Sequence, residues 1–417
     1  MSEQVRIDYI AASGEGVAKT ASGLSYVAFT LPQELVNITQ SDDGYKLDKI
    51  IEPSVKRIDA ICKHFGQCGG CLLQHWKNED YQQWKRSLVQ DALKARNIDF
   101  EIAPLITAGI HQRRRATLTA RVTTKGQHVG FNGFRSHDVI EIEECPVVVP
   151  QIEQALTDIR AIAAHLANNA KSFHITVTHT QTGLDMALSG VKIDDEKQRQ
   201  GLIQQVLNRN ILRLTIDDEI IVEKGKPEVY FGNALVQIPS GGFLQATKVA
   251  EDTLASLIGE GLKKVKNVVD LFCGSGSFSF FLAEKMNVHG VEFNQPALKV
   301  FDLALRNAKG LKKITYERRD LFLRPLSAKE LQAFDAVVFD PPRAGAEAQA
   351  IEIAKSTVSR VVAVSCNPVT LARDLQILIE GGYKLEKITP VDQFLWSPHV
   401  EVVAVLSKRR PKPGWKL

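Results

Sequence analysis

From about residue 246 onward, short apolar runs alternate with helix-period segments: VKNVVDLF, SFSFFLAEKM, VHGVE, PALKVFDLALRNAKG, ITYERRD, AFDAVVFD, RVVAVSC, LARDLQILIEGG, YKLEKITPVD and EVVAVLSKR. Strands that are apolar on both faces must be covered on both faces. The alternation therefore predicts an α/β fold with a doubly wound, mostly parallel sheet. Such sheets bind ligands beyond the carboxyl ends of their strands, so the residues that end each run become the candidates for chemistry.

The chain is long enough for more than this one layer, at 417 residues. Residues 4–55 alternate short apolar runs with Gly and polar turns, the rhythm of a small OB-like β-barrel. A cysteine-rich knuckle at 62–71 leads into YQQWKRSLVQDALKARN, whose apolar positions recur at helical spacing. Residues 105–235 mix strands (ATLTARVTT, FHITVTHT, LDMALSG) with two expected helices, IEQALTDIRAIAAHLANN and DEKQRQGLIQQVLNRN. The expected division is a barrel over 1–58, a knuckle with an α+β middle domain over 59–240, and the α/β domain over 241–417. Apolar content of 44% and charged content of 24% exclude a disordered, collagenous or coiled-coil chain. No basic segment precedes an apolar run at the N-terminus, and no stretch of about 18 uncharged apolar residues occurs. A soluble, cytoplasmic protein with no membrane contact is expected. The tail KRRPKPGWKL reads as a solvated terminus.

Asp270-Leu-Phe-Cys-Gly-Ser-Gly-Ser-Phe278 lies between an apolar strand and an apolar helix, where glycines allow close backbone approach to a ligand. Position 279 is Ser, so the third glycine of a dinucleotide fingerprint is missing, which weakens a nicotinamide oxidoreductase reading. Glu292 ends the next strand, where a carboxylate can accept both ribose hydroxyls of an adenosine. Asp320 ends the one after, facing the adenine edge. Together they suggest a nucleoside cofactor without pyrophosphate, S-adenosylmethionine.

Asp340-Pro-Pro-Arg343 follows the strand AVVFD and could hold a substrate base. Amino-directed methyltransferases carry an aromatic residue where this chain has Arg343, which argues against N-methylation. The next strand ends Val-Ser-Cys366-Asn-Pro before a helix. A helix N-terminus favours a thiolate, although isolated cysteines are more often inert and buried. Uracil C5 is a poor nucleophile, so its methylation requires a thiolate to add at C6. A base must then remove the C5 proton, and Glu401 before the last strand is the candidate.

The remaining cysteines form a second constellation. Cys62, Cys68 and Cys71 are spaced C-x5-C-x2-C, and Cys145 arrives later before a proline. Three clustered thiols with a distant fourth resemble iron–sulfur ligation more than zinc, whose structural sites favour two close pairs. A [4Fe-4S] cluster is expected, with zinc as the alternative. Cys273, inside the glycine loop, reads as a packed side chain. Residues 81–140 hold ten Lys/Arg against four acids: Lys85, Arg86, Lys94, Arg96, Arg113, Arg114, Arg115, Arg121, Lys125 and Arg135. With Trp84, Phe131 and Phe134 they suggest a phosphate-contacting face with stacking platforms. For Lys85 to Arg96 a solvated helix face explains the charges equally well.

The ordered set DLFCGSGSF, VEFNQPAL, FDPPRAG, SCNPVTLARDL and DQFLWSPHVEVVAVL resembles the RNA uracil-C5 (5-methyluridine) methyltransferase family over nearly the whole chain. CKHFGQCGGCLLQHW with Cys145 is similar to the iron–sulfur-containing 23S rRNA branch, and the N-terminal module looks like that family's TRAM barrel. The resemblance implies a class I methyltransferase domain of Rossmann-like architecture, a nucleophile at Cys366 and a proton acceptor at Glu401. It further implies cofactor contacts from Gln245, Phe272, Ser277, Glu292, Asp320 and Asp340, a [4Fe-4S] cluster on Cys62, Cys68, Cys71 and Cys145, and 23S rRNA as substrate. No DNA partner is expected, and the chain is expected to be a monomer. Departures from the family pattern are Ser277 in place of an amide, Leu395-Trp396-Ser397 in place of Pro-x-Thr, and LPQELV in place of an LPGE turn. The rival readings are tRNA uridine methylation and a non-catalytic iron–sulfur RNA-binding assembly factor.

Overall fold

The computed structural model describes residues 2–41, 44–123, 126–166 and 171–409. Strands β1 (Ser2–Ile10), β2 (Gly16–Thr20), β3 (Gly23–Val27), β4 (Leu35–Ser41) and β5 (Gly44–Glu52) close into a barrel in the order β1-β2-β3-β5-β4. Alternation turns Val5, Ile7, Val27, Val36 and Ile38 inward, and closure removes the unpaired edges. In the LPQELV turn the left-handed position that glycine favours is taken by Gln33, at φ 71°.

After the cysteine knuckle, α1 (Asn78–Lys94) is joined to the barrel. Ile10 and Leu31 share one apolar cluster with Leu72, Leu73, Trp76, Tyr81 and Trp84. The next elements are β6 (Ile106–Thr107), β7 (Arg115–Thr123), β8 (Gly126–Asn132), β9 (Val139–Ile140), α2 (Pro150–Gln154), α3 (Leu156–Ala164), β10 (Ser172–His179), β11 (Leu184–Ser189), α4 (Glu196–Leu207), β12 (Arg213–Ile216) and β13 (Glu219–Glu223). Their seven-stranded sheet runs β13-β12-β11-β10-β7-β8-β9 and packs Leu118, Ile175 and Met186 against Ile159, Ile162 and Leu202. The first expected helix is two, interrupted at Ala155, and its last residues, 167–169, lie outside the described residues. A hairpin, β14 (Glu228–Phe231) and β15 (Ala234–Gln237), follows.

The remainder is α5 (Lys248–Gly261), β16 (Asn267–Leu271), α6 (Ser277–Ala283), β17 (Asn287–Glu292), α7 (Gln295–Asn307), β18 (Ile314–Arg318), α8 (Ala328–Leu331), β19 (Ala336–Phe339), α9 (Glu347–Lys355), β20 (Arg360–Ser365), α10 (Pro368–Glu380), β21 (Lys384–Asp392) and β22 (Glu401–Ser407). The sheet runs β18-β17-β16-β19-β20-β22-β21-β6. Strands β16 to β20 pair in parallel, and β22 enters antiparallel between β20 and β21. Adjacent residues of β16 feed opposite layers: Val269 and Leu271 the core under α9 and α10, Val268 the core under α5 and α6. The strand order reverses at β16, so the crevice between β16 and β19 is where a ligand is expected. β6, from the middle of the chain, extends this sheet beside β21, a long-range pairing that local sequence does not announce.

The expected basic face is corrected in part: Lys85, Arg86, Arg114 and Trp84 turn into the fold, while Arg135 stays exposed. Lys85 is fully buried on an ion pair with Asp392, Arg114 is buried against Glu251, and Arg86 donates to the carbonyls of Ile102 and Ala103. Arg135 reaches Glu15 of the barrel, and Trp84 is core. These cations join parts of the fold. Lys94 and Arg96 are exposed, and Lys125 and tail residues 410–417 lie outside the described residues.

Candidate active site

The carboxyl edge of the sheet carries a ring of acids. Asp270, inside β16, is fully buried; its Oδ2 accepts from Ser279 Oγ at 2.5 Å, while Oδ1 has no partner. Ser279 thus stands in place of a third glycine to satisfy a buried carboxyl. Burial, with Asp340 and Glu292 nearby, pushes Asp270 up to about 7. Phe272 is held at φ 62°, a strained conformation for an aromatic residue, and its ring meets Phe322 at 5.5 Å. Gly276 caps α6 at φ 94°, where a Cβ would lie 2.7 Å from the rings of Phe280 and Phe301. Ser277 opens α6, half-buried. Cys273 is buried, as expected for a packed side chain.

Glu292 ends β17 with Oε2 accepting from Gly274 N (3.0 Å) and Oε1 from Phe293 N and Asn294 N (both 2.7 Å). Asp320 lies two residues beyond β18, where its Oδ1 accepts from Phe322 N and Leu323 N. A cleft of about 400 Å³ beside it is lined by Phe293, Arg318, Arg319, Asp320, Leu323 and Arg324. An aromatic face and a carboxylate at one cleft suit a purine ring with an exocyclic amine. The lone pair that remains on Glu292 Oε2 suits a ribose hydroxyl.

The second half of the site is a chain of side-chain hydrogen bonds. Gln245 Nε2 donates to Asp340 Oδ2 (2.9 Å); Gln393 Nε2 donates to Gln245 Oε1 (2.8 Å) and to Glu401 Oε2 (2.7 Å). Glu401 opens β22 almost fully buried, and its Oε1 has no partner. Burial first, then Asp340, pushes its carboxyl up to about 8; burial raises Asp340 to about 7. Cys366 stands between β20 and α10, at the same sheet edge as Asp340, which follows the neighbouring β19, and Glu401, which opens the neighbouring β22. The expectation that the helix N-terminus favours its thiolate is corrected. Burial, Glu401 and Asp340 hold the thiol above its ordinary value, and Arg343 opposes them. Arg343 is itself bonded to His399 Nε2 at 2.9 Å. Burial and nearby cations lower His399 to about 4, so its ring is neutral near pH 7 and accepts from the guanidinium. The structure therefore brings together Gln245, Asp340, Cys366 and Glu401, and adds Arg343, Gln393 and His399, none of which sequence reasoning assigned to a site. Gln393 and His399 carried no local signal, while the charge of Arg343 beside Asp340 was available as one.

The loop 393–400, which leads into Glu401, is held from outside the sheet. Leu72 N and Leu73 N donate to Trp396 O, Trp396 N donates to Tyr81 Oη (2.8 Å), and Tyr81 donates to Asp392 (2.6 Å). Lys85 donates to Asp392 Oδ1 (2.8 Å) and to the carbonyls of Phe394 and His399. Cys71 immediately precedes this clamp. The charges of neighbouring thiols bear on Cys68, Cys71 and Cys145, and Cys68 Sγ accepts a hydrogen bond from Gly70 N (3.4 Å). Burial, reinforced by the neighbouring thiols, takes Cys68 to about 11 and Cys71 to about 12. Such thiols deprotonate only with a compensating cation. Among the described residues no three His, Cys, Asp or Glu side chains converge on a single metal ion.

The strand order, with its antiparallel last strand inserted next to the edge of a parallel sheet, and the acid-lined edge define a Rossmann-like class I methyltransferase. A family model described as tRNA (uracil-5-)-methyltransferase matches residues 111–409, and the chain belongs to that family. An uncharacterized RNA methyltransferase of Brucella suis is 52% identical over 98% of each chain. The 23S rRNA (uracil(1939)-C(5))-methyltransferase RlmD of Shewanella piezotolerans is 29% identical over 94% of this chain and 92% of its own. In fold, the tRNA (uracil-54, C5)-methyltransferase of Pyrococcus abyssi in complex with S-adenosyl-L-homocysteine superposes with a TM-score of 0.75, covering 97% of this chain and 99% of that one, at 21% identity. The protein is an RNA methyltransferase that uses S-adenosylmethionine, and the oxidoreductase and non-catalytic readings fall with that assignment. Among the described residues no helix is long and apolar enough to cross a membrane.

Proposed function

We propose that the enzyme methylates C5 of a uridine in 23S rRNA through a covalent adduct with Cys366. The observation that carries the reading is the placement of Cys366, Asp340 and Glu401 at the ends of the adjacent strands β20, β19 and β22, with Arg343 three residues beyond Asp340. Cys366 gives its thiol proton to solvent beside the Arg343 guanidinium and, as the thiolate, adds to C6 of a uridine turned out of its stack; the C5=C6 electrons become an enolate, which Arg343 stabilises. Bound there, S-adenosylmethionine would supply the electrophilic methyl group to C5, the S–CH3 electron pair staying on the sulfur of the departing S-adenosylhomocysteine. Glu401 then takes the C5 proton; the C–H electrons restore C5=C6, the C6–S bond breaks, and the thiolate leaves. Glu401 suits this task because burial raises its basicity toward the operating pH. Glu292 and Asp320, with Phe272, Ser277, Gln245 and Asp340 around them, hold the cofactor, and Asp340 also faces the uracil edge. The four knuckle thiols ligate a [4Fe-4S] cluster. The Gly70 N–H···S bond on Cys68 suits a thiolate, and a cuboidal cluster, one thiolate per iron, spreads its ligands farther apart than a single ion does. The 29% identity to RlmD supports a ribosomal substrate, and action on rRNA implies a cytoplasmic enzyme. Barrel, middle and methyltransferase regions divide near residues 58 and 240.

The test is anaerobic incubation with methyl-labelled S-adenosylmethionine and RNA lacking 5-methyluridine, followed by nucleoside analysis of separated rRNA and tRNA. Label in 5-methyluridine of 23S rRNA is expected; label in tRNA alone overturns the substrate and keeps the chemistry. Cys366→Ala should abolish turnover and keep cofactor binding. Glu401→Gln should accumulate a heat-stable protein–RNA adduct.

A further inference from the structure

The amide of Gln393 has its orientation forced. Its Oε1 accepts from Ala246 N (2.9 Å), a group that can only donate. Nε2 must then face the other way, and both of its protons are used, on Gln245 Oε1 and on Glu401 Oε2. With Gln245 Oε1 so occupied, Gln245 in turn presents Nε2 to Asp340. The segment carrying Gln245 is locked as well, since Arg114 donates to Gln245 O (3.1 Å) and its own amide to Ala246 O. Glu401 is left with one oxygen tied and the other, Oε1, buried and unpartnered. A buried acceptor without a donor is costly, and such atoms mark places where a ligand or a reaction completes the bonding.

We propose that Gln393 is a positioning residue for proton removal, its amide binding one oxygen of Glu401 so that the other stays open to the C5 proton and tying that base to the Gln245–Asp340 pair. The inference rests on the covalent reading above. A donor to the carboxylate also favours the ionised form, which burial and Asp340 otherwise disfavour. The charged groups around the base are Asp340 at the end of β19, Cys366 at the end of β20 and Arg343 beyond Asp340. Asp392, Lys85 and His399 line the loop behind it. Without the donor, Glu401 holds its proton to higher pH and the methylated adduct decays slowly.

The experiment follows decay of the Cys366–RNA adduct in a single turnover across pH, in the full-length protein and in Gln393→Met and Gln393→Glu, with cofactor affinity and thermal midpoint measured alongside. Gln393→Met, nearly isosteric, should slow decay about tenfold at pH 7 and move the midpoint of the decay profile about one unit alkaline, with the rate recovering at higher pH. Gln393→Glu keeps the acceptor for Ala246 and the side-chain length, so it decides the matter if the Met variant does not fold; it should shift the midpoint in the same direction. An unchanged midpoint and adduct lifetime in a folded variant overturns the role of Gln393. Failure of the covalent reading looks different: Cys366→Ala would still methylate, or Glu401→Gln would form no adduct.

Discussion

The residues that define this site are acids kept from water. Asp270 at about 7, Asp340 at about 7 and Glu401 at about 8 all hold protons more tightly folded than unfolded. For such a group the stability contribution is fully present below the ordinary carboxyl value and is lost as pH rises through the folded value. The apoprotein should therefore weaken between about pH 4 and pH 8. Asp270→Asn removes one of these groups while keeping an acceptor for Ser279. It is expected to stabilise the apoprotein by about 4 kcal/mol at pH 8 and hardly at all at pH 4. Thermal denaturation across pH checks this, and equal gains at both ends would contradict the assigned origin. At the same scale, Gln33 shows how a turn survives a substitution. The left-handed backbone is kept without glycine, and Gln33 N is held on Ile7 O and its carbonyl by Arg6.

At the scale of elements, α1 controls a loop that belongs to the distant C-terminal sheet. Its hydrophobic spacing is that of an ordinary amphipathic helix, yet Tyr81 and Lys85 both turn inward to Asp392. Removing one partner of a buried ion pair leaves the other uncompensated, so Lys85→Met is expected to cost about 3 to 5 kcal/mol. Tyr81→Phe is gentler, at about 1 to 2 kcal/mol, and leaves the fold intact. It should lower kcat with cofactor affinity unchanged, because Trp396 loses its anchor while the cofactor cleft is untouched. Hydrogen exchange at amides 393–400 should quicken in that variant; unchanged protection there would mean that Leu72, Leu73 and Lys85 hold the loop without the tyrosine hydroxyl. Chain periodicity showed that α1 exists. That its polar residues are internal follows only from packing against β21 and the 393–400 loop.

Across the whole molecule, barrel, knuckle, middle sheet and methyltransferase sheet are joined by polar links as well as apolar ones. Arg57 ties the linker to Glu34 of the barrel, Arg135 ties the middle sheet to Glu15, and Arg114 ties it to Glu251 of α5. The knuckle stands where these parts meet. Anaerobically purified protein should carry about four irons per chain. Cys71→Ser is expected to lose iron and at least tenfold in methylation while retaining S-adenosylmethionine binding, because the clamp on Trp396 begins at Leu72. Retained iron, or loss of cofactor binding together with activity, would remove the knuckle from this role. The sequence by itself determined the doubly wound sheet, the small barrel, the acids and thiol at the strand ends, and the family, since strand period, helix period and strand-end residues are local properties. It could not show the β6 pairing, the inward turn of Lys85 and Arg114, the Gln245–Gln393–Glu401 chain or the raised Cys366. Those depend on which distant groups share a water-free space, and burial and partnership of a charge are decided only when the tertiary structure closes.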